Sequence, residues 1–181
     1  MSGQARRLAA LLRAVNVGGR KVVMAELKAL AAGLGLDAPA TLLASGNLVF
    51  GTGLDPAEAA RRLEAAIAAE LGIATDVMVR DLAQLQAVLA QNPFPDQARD
   101  EPSRLMAMFL SGEPDGDLAS LAPACVLGEE IRIGPGCLYI WFPQGAGVSK
   151  LSNVLIERRL KVRGTARNWN TVGKLAELLA S

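Results

Sequence analysis

Short apolar runs, each closed by glycine, proline or asparagine, limit what this chain can fold into. "RLAALLRAV" (7–15) runs into Asn16 and the Gly18-Gly19 pair, the pattern of a buried strand entering a loop. From Met24 the apolar residues Leu27, Leu30 and Leu34 follow at helical spacing until Gly35 supplies a stop. "ATLLASGNLVF" (40–50) is two apolar segments about Ser45-Gly46-Asn47, a hairpin pattern because glycine and asparagine tolerate the positive backbone angles of tight turns. Asp55 and Pro56 open a second helix, with Leu63, Ile67 and Leu71 on one face and Gly72 at its end. "TDVMVRD" (75–81) reads as a strand, and Asp81 as the cap of a helix through Leu82, Leu85 and Leu89.

This half therefore predicts the order βαββαβα. The proline- and charge-rich stretch 92–103 reads as a linker. Beyond it come strand 105–110, a short helix after Pro114, a strand near 130–133 and the Gly134-Pro135-Gly136 turn. Strand 138–142, a helix from Ser149, a short strand near Thr165 and a last helix complete the order a second time. No residue-level repeat accompanies this duplication of architecture. The expected fold is α+β, with two ferredoxin-like (βαββαβ) subdomains in tandem, 6–91 and 104–181, each followed by a helix. At 181 residues the chain is long enough to bury a core in each half.

Composition narrows the chemistry. The sequence has no histidine, which excludes Ser-His-Asp, Cys-His and zinc-histidine sites and leaves carboxylate, lysine, cysteine or the single tyrosine, Tyr139. The two cysteines, Cys125 and Cys137, have neither CxxC spacing nor a partner cluster, and read as reduced residues on neighbouring strands of a cytoplasmic protein. No window holds the ~18 uninterrupted apolar residues of a membrane span, since Ser120 and Pro123 break the run from Leu118 to Leu127. Near the N-terminus Arg13 interrupts the apolar run and no small-residue cleavage site follows, so a strand is expected there rather than a signal peptide. The net charge of +1 hides an uneven distribution: residues 1–30 carry six basic groups and one acid, residues 51–130 five and fourteen, and residues 148–181 seven and two. Two basic ends flank an acidic middle, which makes a local positive surface if the ends meet.

Three polar, glycine- or asparagine-bearing segments precede helices, where exposed amides and the helix dipole attract anions. "RAVNVGGRKVVM" (13–24) offers Arg13, Asn16, Gly18, Gly19 and Lys21, without the spacing of a Walker loop or dinucleotide fingerprint. Arg13, inside an apolar strand, should either pair with a carboxylate or meet a ligand at the strand's edge. "WFPQGAGVSKLSN" (141–153) places Ser149 as a helix cap and Lys150 in a first turn, where a cation opposes the dipole. "TARNWNTVGKL" (165–175) supplies Arg167, Asn168, Trp169, Asn170 and Thr171. Asn170 or Thr171 is the expected cap of the last helix, and Trp169 is either a packing anchor or a stacking platform.

The segments "LLRAVNVGGRKVVMAELKAL", "ASGNLVF", "NPF", "SKL" and "TARNWNTVGKL" together resemble the bacterial domain of unknown function 1697 (DUF1697) family, over nearly the whole chain. The matching positions are Leu11 to Arg13, Asn16 to Gly19, Met24, Leu27, Ser45 to Asn47, Ser149, Lys150, and Thr165 to Lys174 apart from Ala166 and Gly173. The resemblance implies an α+β fold in two subdomains and assigns no activity. Many relatives have glycine where Ala14 stands, which narrows the backbone freedom before the loop.

The leading expectation is a binding module for an anionic or phosphate-bearing ligand, in a groove formed by the three helix N-termini. Arg13, Lys21, Lys150 and Arg167 would supply charge, and Asn16, Ser45, Asn47, Asn168 and Asn170 hydrogen bonds. Nucleic-acid binding is the alternative, disfavoured by near-neutral charge and 4% aromatic residues. An enzyme using Lys150, or magnesium on Asp96, Asp100 and Glu101, ranks lower, because those acids read as a solvated cluster. A purely structural role for the motif residues is a further alternative. The sequence implies no cofactor and no metal, and is silent on oligomeric state.

Overall fold

The computed structural model describes residues 5–15, 19 and 21–181. Its backbone divides into two compact units, residues 1–83 with 175–181, and residues 84–174. The stretch 92–103 lies inside the second unit and carries a short helix, Pro95–Asp100.

In the first unit, strand β1 (Arg6–Leu12) is followed by helix α1 (Met24–Gly33), the hairpin of β2 (Asp37–Leu42) and β3 (Asn47–Thr52), helix α2 (Pro56–Leu71) and β4 (Val77–Asp81). The sheet order is β2-β3-β1-β4, and every neighbouring pair is antiparallel. Leu8 to Leu12 are all buried, so β1 is covered on both faces and its sequence is continuously apolar instead of alternating. Leu8, Ala10 and Leu12 share one core with Phe50, Leu27, Leu63 and Ile67. The helices end as their sequences dictate: Asp55 accepts a bond from the Ala57 amide (2.9 Å), and Gly72 adopts φ +66° as the left-handed cap of α2.

The second unit holds most of α3 (Leu82–Ala90), then α4 (Pro95–Asp100), β5 (Leu105–Leu110), β6 (Glu130–Gly134), β7 (Cys137–Trp141), α5 (Asn153–Leu160), β8 (Gly164–Asn168) and the start of α6 (Trp169–Ala180). Its sheet, β6-β7-β5-β8, is again antiparallel throughout. The helix expected after Pro114 is a 3-10 segment, Leu118–Ala124. Pro123 lies inside it and has no N–H to donate, which disfavours a regular α-helix there. Cys125 follows this segment, not on a strand as the sequence suggested, while Cys137 opens β7; both are free thiols. Met108, Leu110, Leu138, Ile140, Ile156 and Leu160 form the second core. The last residues of α6 return to the first unit, where Leu175, Ala176 and Leu179 are buried. Among the described residues no helix is long and apolar enough to cross a membrane.

Candidate functional site

At the C-terminal end of β1 the chain is tied to two distant segments. The Leu12 amide donates to the Gly46 carbonyl (2.9 Å), the Arg13 amide to the Asp76 carbonyl (2.9 Å), and the Thr75 hydroxyl to the Arg13 carbonyl (2.6 Å). The β1 exit, the β2–β3 hairpin tip and the start of β4 thus form one corner of the first sheet. Gly46 takes φ +78°, and a Cβ there would lie 2.5 Å from Val15 Cγ2. Asn47, fully buried, donates from Nδ2 to the Leu42 carbonyl and the Ser45 hydroxyl, both at 2.8 Å. The geometry gives Asn47 the work of closing the hairpin, and Ser45 accepts one of its bonds.

Arg13 lies one residue beyond β1, with its Nη1 3.4 Å from Asp76 Oδ2. It takes the carboxylate partner foreseen as one of its two options. Both side chains retain more than a quarter of their exposure, so the pair contributes about 1 kcal/mol or less. Ala14 adopts φ +54°, a left-handed backbone that costs a residue with a Cβ roughly 1–2 kcal/mol and that glycine adopts freely. Gly19 also has positive φ (+87°) and is exposed, as is Lys21. Asn16 and Gly18 lie outside the described residues. Helix α1 begins after Val23 without a side-chain cap.

In the second unit β7 and β8 run parallel to one another on either side of β5, since each pairs antiparallel with it. Trp141 stands opposite Leu105, and Asn168 opposite Met106. The loop after β7 and the β8–α6 junction therefore leave the same end of the sheet, two strand spacings or ~10 Å apart. Arg104, at the start of β5, fastens that end by donating from Nη1 to the Pro143 carbonyl (2.9 Å).

The caps differ from expectation here. Helix α5 starts at Asn153, with Ser152 accepting from the Leu155 amide (3.2 Å). Ser149 instead donates its hydroxyl to Glu129 Oε1 and accepts from the Leu151 amide (3.0 Å). Lys150 stands upstream of α5 and is exposed, so no conflict with a helix dipole arises. The polarity of "GAGVSKLSN" holds two candidate serines, and only the fold shows which one caps.

Asn168, rather than Asn170 or Thr171, closes α6: its Oδ1 accepts from the Thr171 amide and the Thr171 hydroxyl, both at 3.0 Å. Thr171 is buried and Asn170 exposed. Trp169 is half-buried against Tyr139, ring centroids 6.3 Å apart and tilted by 52°, within the range of favourable aromatic pairs. Tyr139 donates its hydroxyl to the Val88 carbonyl (2.7 Å), and burial raises its pKa. Arg167 is only 6% exposed, and donates from Nη1 to the Thr165 hydroxyl (2.6 Å) and the Ala166 carbonyl (2.8 Å). Burial lowers its pKa to about 10, still well above neutrality.

The acids Asp96, Asp100 and Glu101 pair with Arg99 and Arg104. No cluster of three metal-ligating side chains occurs among the described residues. Sequence reasoning missed Glu129, which is 7% exposed. Burial acts to raise its pKa, but bonds from the Ser149 hydroxyl and from the backbone of Glu129 and Leu127 outweigh that, and the carboxyl sits below its ordinary value. Nothing local in "GEEI" marks one glutamate as buried and its neighbour as exposed.

The family model described as "Protein of unknown function (DUF1697)" matches residues 6–139, from β1 into β7. The chain belongs to this family. The match takes in the DUF1697 member's β1–α1 loop and β2–β3 hairpin and stops short of the β8–α6 motif. No curated protein matches the chain. Among solved structures it is similar to the conserved bacterial protein SP0830 from Streptococcus pneumoniae, at 23% identity and a TM-score of 0.69, over 96% of this chain and 98% of that one. This likeness extends the shared α+β fold across both sheets.

Proposed function

We propose that this DUF1697 protein is a binding module for an anionic or phosphate-bearing ligand, held at the β1–α1 corner of the first unit. The observation that carries the reading is the contrast among the three helix starts. The first turns of α5 and α6 are closed by Ser152 and Asn168, whereas α1 has no side-chain cap. Open amides at a helix N-terminus favour an anion, and here Lys21 stands immediately upstream and Arg13 at the β1 exit. The ties from Leu12 to Gly46 and from Arg13 to Asp76 fix the β1 exit against the hairpin and the start of β4. The strand orders support reading each unit as ferredoxin-like, a scaffold that presents such corners at the sheet ends. The two free thiols support a cytoplasmic setting.

The test is the melting temperature of the full chain in orthophosphate, sulfate and nucleoside triphosphates. A rise that saturates in the millimolar range and disappears in Lys21→Ala is the expected result. Lys21 is exposed, so its removal leaves the core intact. An unmoved wild-type melting temperature would refute the reading. Single-stranded RNA added at low and high salt separates the nucleic-acid alternative, because phosphate contacts weaken as salt rises. The packing of Trp169 on Tyr139 gives base stacking little support.

A further inference from the structure

A second place in the molecule carries a ligand argument of its own. In the second unit the 3-10 segment Leu118–Ala124 and the start of β6 enclose a solvent-open cavity of about 390 Å³, within the ~300–1,000 Å³ of small-molecule pockets. Leu118, Ala119, Ala122 and Ile131 give it apolar walls, and Glu129 forms part of the lining. Glu129 is more than nine-tenths buried, and both its oxygens are engaged by neutral donors, the Ser149 hydroxyl and the Leu127 amide (2.8 Å). Among the described residues no cationic side chain pairs with it. The one arginine on the wall, Arg132, is committed elsewhere: to Glu130 (3.1 Å), to the Ile131 carbonyl (2.9 Å) and over the Phe94 ring (5.7 Å).

A buried carboxylate without a counter-charge is costly to keep. Two carboxylate oxygens offer about four acceptor positions, so the three neutral bonds, from the Ser149 hydroxyl, the Leu127 amide and the backbone of Glu129 itself, leave capacity for another donor. From these observations we infer that the cavity is a site for a small primary amine, its ammonium on Glu129 and its apolar body on Leu118, Ala119, Ala122 and Ile131. A compact ammonium suits this carboxylate better than a guanidinium. The two oxygens already each take a donor, which obstructs the paired approach that a planar fork uses.

The probe is n-pentylamine, titrated into the full-length protein at neutral pH and followed by amide NMR, with n-pentanol as the tail without the charge. Saturable shifts at Leu127 and Glu129 are expected, with the alcohol at least about tenfold weaker. Glu129→Gln retains an acceptor for Leu127 and a partner for Ser149, yet should weaken the amine about tenfold or more. Ala122→Phe fills the cavity from an exposed position, leaves Glu129 in place, and should abolish binding. No saturation by on the order of 10 mM, equal binding of the alcohol, or unchanged binding in either variant overturns the inference. Should Glu129→Gln fail to fold, Ala122→Phe and the alcohol decide it.

Discussion

Replacing Gly46 by alanine tests whether the corner at the end of β1 is built as described. The added methyl must occupy a backbone at φ +78°, which costs an L-residue roughly 1–2 kcal/mol. It must also lie 2.5 Å from Val15 Cγ2 and 3.0 Å from Leu12 Cβ, both on a buried part of the chain; overpacking of that kind costs about 1–3 kcal/mol. Together these give a loss of ~2–5 kcal/mol for Gly46→Ala. Gly35 provides the control, since it has nearly the same backbone angle (φ +75°) with nothing within 4 Å of its would-be Cβ. Gly35→Ala should lose only the backbone part, ~1–2 kcal/mol. Urea unfolding of the two variants measures the difference, and hydrogen exchange at the Leu12 amide, which donates to Gly46, localises it. If the variants are equally destabilised and Leu12 keeps its protection in both, the hairpin tip does not press on the β1 exit and the argument fails.

Asn168→Ala should destabilise by ~1 kcal/mol, with faster amide exchange at Thr171, because the two bonds that close α6 disappear. Tyr139→Phe leaves the buried Val88 carbonyl without its phenol donor and should cost ~1–3 kcal/mol in denaturant titrations. Because the folded phenol's pKa is raised, its contribution is complete below the unfolded tyrosine pKa of about 10 and is lost as pH rises beyond it. The stability difference between wild type and Tyr139→Phe should therefore shrink on the alkaline side, and ultraviolet absorbance reports the sole tyrosine directly. Glu129 has the opposite sign: its lowered pKa adds stability above the unfolded carboxylate range and loses it as pH falls through the folded pKa. Glu129→Gln should show a shallower decline in acid than wild type.

Strands and helices announced themselves wherever the local residues suffice to make them. Asp55-Pro56 and Gly72 bracket α2, and Ser45-Gly46-Asn47 marks the hairpin, because capping and tight turns depend on neighbours in sequence. The sequence at 118–124 predicts a helix because its apolar spacing serves either form, and Pro123 decides against the α-helix only in context. Among the candidate residues, several polar ones have structural work within the chain. Asn47, Asn168 and Thr171 stand out because amides and hydroxyls are unusual beside apolar runs, and each also bonds to the chain's own backbone or side chains. Which glutamate of Glu129-Glu130 is buried depends on Ser149, twenty residues away. A bond of that separation has no signature in the local pattern.

The return of residues 175–181 to the first unit also gives the molecule an order in time. As the chain leaves the ribosome, residues 1–83 emerge early, but the buried side chains of Leu175, Ala176 and Leu179 that complete their unit are synthesised last. Until then the nascent first unit lacks its last residues, while all ninety-one residues of the second unit have already emerged or are emerging. The unit translated first is thus the one finished last, and a ribosome stalled before Leu175 would strand the N-terminal half of the protein in its unfinished form.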